Sequence, residues 1–469
     1  MNKEEKIKHF DAMASERTKW RKKGAYYHAE LERYLRFLVP EGASVLEIGC
    51  GTGELLASLK PGRGVGVDIS SKMIEKAQQN FPDLDFQIDD FEDLQITEKF
   101  DVIIIAETLG HVDDIQAAFR GLHKVCTPET RIITIYFNYL WAPVIKLTES
   151  AGIRMKQSLR HWLPLDDIEN LLDLEDFQVV KKGYRVLMPI KIPLLASFFN
   201  KFLANMPFFW KMALTEILVA RPIAQRKPQD DVSCTVLVPC RNEKGNIEQA
   251  VLRTPKMGKA MEIIYVEGGS SDGTYEECLR VQDKYPDKDI TVLRQDGKGK
   301  GDAVRKGFAA AKNDVLMILD ADLTVPPEDL PKFFNAITSG KGEFINGSRM
   351  VYQMEKEAMR FLNTLGNKFF SRVFTYLFEQ RIRDTLCGTK VLWREDYIKI
   401  QNGRKYFGEF DPFGDFDLLF GAVKLNLKIK EVPIRYRDRT YGETQISRFR
   451  HGVLLLKMSW FGLFKIKWI

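Results

Sequence analysis

Short apolar runs recur along the chain, several ending in glycine or in acid, and each followed by a longer amphipathic stretch. SVLEIG, GVGVDI and FDVIIIA lie in the first half; CTVLVPC, MEIIYVE, ITVLR and DVLMILD lie in the second. Runs of this length, rich in β-branched residues, predict buried strands, and the amphipathic stretches between them predict helices. The alternation predicts an α/β protein with a mostly parallel sheet in each half. Between the halves, RPIAQRKPQDD (221–231) places two prolines and five charges, the composition of a linker. At 469 residues the chain exceeds one comfortable core, so two domains are expected, 1–225 and 232–469.

Composition changes this picture little. The chain is 45% hydrophobic and 29% charged, as globular proteins are. A net charge of +6 suits phosphate-bearing ligands, an anionic membrane surface or plain solubility, and is too weak to point to nucleic acid. Six scattered cysteines without a CxxC pair read as reduced thiols, and the charged start MNKEEKIKHF is no signal peptide, so a cytoplasmic protein is expected. No stretch is long and apolar enough to predict a membrane-spanning helix. The C-terminal GVLLLKMSWFGLFKIKWI, broken by Lys457, Lys465 and Lys467, fits either a helix lying peripherally in the inner face of a membrane or one packed on its own protein.

The first candidate site follows SVLEIG. In SVLEIGCGTGELL the strand ends near Gly49, a helix begins near Glu54, and Gly49, Gly51 and Gly53 allow a tight turn and close ligand approach. A dinucleotide loop reads GxGxxG; this one reads ExGxGxG. Glu47 would repel a diphosphate but could accept hydrogen bonds from a ligand ammonium. Asp68 ends the next strand, placed for two ribose hydroxyls; Asp90 and Phe91 follow, placed for an adenine amino group and ring face; a fourth strand ends around Glu107. His111 reads either as a base or as a structural histidine. Trp141, Trp162, Phe198, Phe199, Phe208, Phe209 and Trp210 make residues 140–220 either an acceptor-binding cap or a packing surface.

This ordered set resembles the class I S-adenosylmethionine-dependent methyltransferases over roughly residues 25–140. The resemblance implies a Rossmann-like fold with S-adenosylmethionine bound by Glu47, Gly49, Cys50, Gly51, Gly53, Asp68, Asp90, Phe91 and Glu107.

In the second half, VPCRNE offers Pro239, Arg241, Asn242 and Glu243 at a strand end, and VEGGSSDGT adds Glu267, Gly269 and Asp272. GKGKGDAVRKGF supplies Lys298, Lys300, Asp302 and Arg305 in a glycine-rich basic loop suited to phosphates. In MILDADL, Asp320 and Asp322 occupy alternate positions, so a strand would point both carboxylates the same way. Two such charges call for a hard divalent ion, Mg²⁺ or Mn²⁺, which also grips a diphosphate and stabilises a leaving nucleotide.

Together these segments, with FINGSRM, RDTLCGTKVLWRE and EVPIRYRDRTYGETQISRFRHG, resemble family 2 glycosyltransferases of GT-A fold, in the branch of the dolichyl- and polyprenyl-phosphate sugar synthases, over about residues 232–455. The resemblance implies inverting transfer from a nucleotide-diphosphate sugar to a polyprenyl-phosphate or glycan acceptor, with Asp320 and Asp322 on the metal. The chain departs from that pattern at Glu267-Gly268, at Thr324 and at GETQIS (442–447). A hydroxyl acceptor would need a base, for which Asp415 and Asp417 are candidates. A phosphate acceptor needs none, and Arg349, Arg435 and Arg439 are then candidates to hold its charge. The expected protein is bifunctional, methylating and glycosylating in glycan or glycolipid biosynthesis; the alternative keeps the glycosyltransferase and makes the first domain a non-catalytic binding or regulatory module.

Overall fold

A computed structural model of the chain describes residues 3–156, 161–349, 351, 361–408, 414, 416–437, 439, 441 and 448–469. The chain divides into two α/β units, Met1–Ile223 with Lys467–Ile469, and Ala224–Ile466. Arg221 and Pro222 of the expected linker finish a strand of the first unit. The Arg226 side chain is buried in the second, where it pairs with Asp396 (2.7 Å) and Glu343 (3.2 Å).

The first unit holds seven strands: β1 (Ser44–Ile48), β2 (Arg63–Asp68), β3 (Asp85–Ile88), β4 (Phe100–Ala106), β5 (Cys126–Phe137), β6 (Phe177–Arg185) and β7 (Thr215–Pro222). They lie in the order β3-β2-β1-β4-β5-β7-β6, and only β7 runs antiparallel to its neighbours. The uninterrupted apolar run of β4 follows from burial on both faces of a parallel sheet; Ile103, Ile104 and Ile105 are fully buried. Residues 140–220, expected as either a cap or a packing surface, contribute two strands of the sheet. Their strand signal is obscured by Lys181, Lys182, Arg185, Glu216 and Arg221. Two helices, Lys3–Lys23 and Ala25–Leu38, precede β1; Met13 and Ala14 of the first pack on Met73.

The second unit also holds seven: β8 (Cys234–Cys240), β9 (Met261–Glu267), β10 (Asp289–Arg294), β11 (Val315–Ile318), β12 (Phe344–Ser348), β13 (Lys390–Trp393) and β14 (Ile429–Pro433). Their order is β10-β9-β8-β11-β13-β12-β14, with β13 alone antiparallel to its neighbours. Helices Ile247–Arg253, Thr274–Lys284, Lys300–Ala310 and Leu330–Thr338 follow the first four strands in turn. The C-terminal ends of β8 to β11 therefore share one edge of the sheet, where parallel α/β sheets bind ligands.

Candidate active sites

In the first unit, Gly49, Gly51 and Gly53 all have positive φ (+74°, +55° and +83°), and the helix Glu54–Leu59 starts immediately after the turn. The turn is tied to β2 by Asp68, whose Oδ2 accepts the Gly51 amide (2.9 Å) and whose Oδ1 accepts that of Ser70 (2.9 Å). Burial raises the Asp68 pKa, and those two amides oppose the shift. A cleft of about 110 Å³ runs across this edge. Gly49, Gly51, Asp68, Asp90, Phe91, Glu107 and His111 line it.

Glu47 takes a different place. It is buried beneath the turn, and its Oε2 accepts the Leu56 amide (2.9 Å). It therefore holds the start of the helix and does not line the cleft, because strand alternation gives two faces without saying which one meets ligand. Cys50 is likewise buried, its thiol pushed well above its ordinary pKa by burial. Burial also pushes the Glu47 pKa from 4.5 up to about 8. The folded chain thus keeps a proton that the unfolded chain releases, so this stabilisation is full below pH ~4.5 and lost as pH rises through ~8. Glu47→Gln can still accept the Leu56 amide. It is expected to leave thermal unfolding of this unit unchanged at pH 5 and to stabilise it at pH 8, by a few kcal/mol at about 1.4 kcal/mol per pH unit. Equal unfolding temperatures of variant and wild type at pH 8 would contradict this.

Five residues at or beside the cleft carry no sequence signal. The first helix brings Lys6, Phe10 and Arg17 to the cleft, with Phe10 edge-on to His111 (5.2 Å). Lys3 pairs with Asp90 (2.7 Å). At the far end the Tyr27 hydroxyl donates to Glu107 (2.9 Å), which sits at φ +57°, an uncommon conformation for a side chain this large. Nothing in the apolar pattern of residues 3–28 announces a ligand.

In the second unit the loops after β8, β9, β10 and β11 bring most of the expected residues to one sheet edge. Asn242 (φ +55°) accepts the Ser271 amide on its Oδ1 (2.9 Å), joining the VPCRNE and VEGGSSDGT turns. Glu267 is buried and accepts the Ser270 amide. Asp272 accepts the amides of Thr274 (3.0 Å) and Lys244 (3.2 Å), which fixes the start of helix Thr274–Lys284. Pro239 lies within β8, and Arg241, Gly269 and Lys298 are in the loops, with Arg241 and Lys298 exposed. Asp302 accepts the Gly297 amide (2.8 Å) and so closes the basic loop.

The acid pair is held by cations of the same chain. β11 ends at Ile318, so Asp320 and Asp322 stand on the following turn and not at a strand tip; turn geometry, not strand alternation, aims them. Lys300 Nζ lies 2.6 Å from Asp320, and Arg439 lies 2.6 Å from Asp322 and 3.1 Å from Glu243. Burial works to raise the Asp320 pKa, but the Lys300 ammonium, with Lys390 and Arg349 beyond it, holds the carboxyl below its ordinary value. Glu243 is pushed up to about 7 by burial, against the pull of Arg439. Thr324 donates its hydroxyl (2.8 Å) and its amide (3.1 Å) to Asp322 Oδ1. Gly388 of RDTLCGTK leaves room for the Asp320–Lys300 pair: a Cβ there would lie 1.9 Å from Asp320 Oδ2.

Two carboxylates on one turn, balanced by one ammonium and one guanidinium, are of the hard oxygen type that suits a divalent ion such as Mg²⁺ or Mn²⁺. Among the described residues no third His, Cys, Asp or Glu joins them. The candidate acceptor arginines separate. Arg349 is half-buried and forms a two-pronged pair with Asp384 (2.7 and 2.8 Å), Arg435 is exposed beyond β14, and Arg439 is on the acid pair. Asp415 lies outside the described residues, as does 442–447. Asp417 lines a smaller pocket with Gly301 and Tyr397, its Oδ2 facing Arg404 (3.0 Å) and Arg305 (3.7 Å).

Known proteins divide along the same line. Residues 235–400 match the family described as Glycosyl transferase family 2, and residues 40–175 match the one described as Methyltransferase domain. The chain thus joins a methyltransferase domain to a family 2 glycosyltransferase domain. It is 31% identical over 217 residues to the dolichol-phosphate mannosyltransferase of Pyrococcus furiosus, a match over 45% of this chain and 58% of that protein. It is 26% identical to the dolichyl-phosphate beta-glucosyltransferase of Saccharomyces cerevisiae, over 46% of this chain and 70% of that protein. Among solved structures, magnesium protoporphyrin IX methyltransferase of Synechocystis with bound SAM matches over 47% of this chain and 97% of its own, at 18% identity and a TM-score of 0.33.

Proposed function

We propose that the second unit transfers a sugar from a nucleotide-diphosphate donor to a polyprenyl-phosphate acceptor with inversion and with a divalent metal, and that the first unit transfers a methyl group from S-adenosylmethionine. The observation that carries the first part is the acid pair with its ammonium and guanidinium partners, Lys300 and Arg439. Asp320 and Asp322 would hold Mg²⁺ or Mn²⁺, which when bound supplies Lewis-acid stabilisation to the departing diphosphate. Lys300 and Arg439, released from the carboxylates, turn to the phosphate oxygens. The turns after β8 and β9 take the nucleoside. An ionised phosphate acceptor attacks without a base, so Asp417 is left to orient Arg305 and Arg404. Dolichyl- and dolichol-phosphate acceptors named for the relatives support this choice. In the first unit, Asp68 takes the ribose, Asp90 and Phe91 the adenine, and Glu107 and His111 stand at the end where the methyl acceptor enters.

Calorimetric titration of the full chain with UDP and with GDP, each with and without Mn²⁺, tests the reading. Binding of one nucleotide that depends on Mn²⁺ supports it; equal binding with and without metal contradicts the assignment of Asp320 and Asp322.

A lipid acceptor suggests contact with a bilayer. No helix among the described residues is long and apolar enough to cross a membrane. Helix Arg448–Gly462 buries Leu455 and Met458 but leaves Val453, Leu456 and Trp460 more than half exposed, with Phe464 one turn on. Spacings of three and four residues put these on one stripe, beside exposed Lys457, the pattern of an interfacial helix. Val453→Asp with Trp460→Asp is expected to weaken binding to anionic vesicles at least thirtyfold, at roughly 1–2 kcal/mol for each of the two residues removed from lipid. Unchanged co-sedimentation would remove the membrane from the proposal.

A further inference from the structure

The strand order gives the methyl-donor cleft a direction. A ligand laid along the edge β3-β2-β1-β4 meets Asp90 after β3, Asp68 at β2, the Gly49–Gly51 turn after β1, and Glu107 after β4. With adenine at Asp90 and ribose at Asp68, the amino-acid end of the donor, a carboxylate and an ammonium, falls between the glycine turn and Glu107. Glu47 cannot serve that end, because it is turned under the loop onto the Leu56 amide.

Arg17 stands over this end. Its guanidinium lies so close to the turn that a Cβ on Gly51 would meet Nε at 2.7 Å, and the residue lines the cleft. Its helix is fixed there: Asp11 accepts the Ser70 hydroxyl (2.6 Å) and the Lys72 amide (3.2 Å), and Lys76 donates to the Ala14 carbonyl (2.8 Å). The other nearby cations are committed. Lys3 is held by Asp90, Lys6 by Asp113 (2.6 Å) and Arg21 by Glu32 (2.6 Å), and Arg154 lies over the Phe137 ring (4.5 Å). Arg17 is within ion-pair distance of no carboxylate among the described residues.

Resting on the methyl-donor reading above, we infer that Arg17 clamps the donor's carboxylate against the Gly51 turn, while Glu107 supplies the negative charge for the ammonium. A guanidinium fork matches a carboxylate, and a half-buried site keeps water from competing for it. The first helix is then part of the donor site and not only its cover.

Two ligands separate this role from a structural one. S-adenosylhomocysteine carries the amino-acid end; 5′-methylthioadenosine keeps the nucleoside thioether and lacks it. In calorimetry on the full chain, Arg17→Met is expected to weaken S-adenosylhomocysteine roughly ten- to hundredfold while changing 5′-methylthioadenosine less than twofold. Arg17→Lys should recover part of the loss. Equal weakening of both ligands, or of neither, overturns the inference and leaves the methyl-donor reading standing. If the wild-type chain binds neither ligand, that reading falls and the inference falls with it.

Discussion

Asp322→Ala is expected to lower sugar transfer by about a thousandfold, the equivalent of about 4 kcal/mol of transition-state stabilisation lost with a metal ligand. The side chain does three things at once. It shares the turn with Asp320, it is aimed by both Thr324 donors, and it is the partner of Arg439. Removing it strips one of two carboxylates from the candidate ion and frees Arg439 to collapse on Glu243. Asp322→Asn keeps the shape and the Thr324 bonds but not the charge, so a matching loss in the asparagine variant would place the effect in electrostatics. The assay is transfer of labelled sugar to a polyprenyl phosphate, with S-adenosylhomocysteine binding as the control for an intact first unit. Residual transfer within tenfold of wild type would sink the metal assignment.

Asp68→Ala is expected to cost the first unit at least a hundredfold in S-adenosylhomocysteine affinity. The substitution removes the carboxylate proposed to face the ribose and also orphans the amides of Gly51 and Ser70, each of which then costs about 1–3 kcal/mol if kept from water. The glycine turn, held at positive φ at Gly49, Gly51 and Gly53, loses its tether to β2. Sugar transfer by the second unit should remain. Affinity within threefold of wild type would show that the ligand, if any, does not lie over β2.

The strand ends were readable in advance because apolar runs that stop at glycine or acid mark where a parallel sheet meets its loops. That logic located the turns after β1, β2, β8, β9 and β10. It misjudged Asp320 and Asp322 by carrying strand alternation past Ile318, where the chain had already turned. It placed Glu47 in the cleft because period-two patterning separates two faces without labelling them. β6 and β7 hid behind charged residues that the sheet tolerates near its edge: Lys182, for example, reaches Asp166 (2.9 Å) and Glu169 (2.6 Å). Arg17 and Gly388 were beyond reach for another reason: each matters only through a neighbour far away in sequence, Gly51 for the one and Asp320 for the other.

The pairing of Asp320 with Lys300 and of Asp322 with Arg439 makes the second unit's site its own competitor. A free metal ion must displace two tethered cations that never diffuse away, so by itself it should bind poorly. A diphosphate offers those two cations a better partner and clears the carboxylates. On the proposed reading, nucleotide and metal would be linked ligands, each raising the other's affinity by the same factor. An enzyme built this way would sit electrically balanced between turnovers, sparing the cell a standing pool of sequestered metal, and would assemble its charged centre only around a donor.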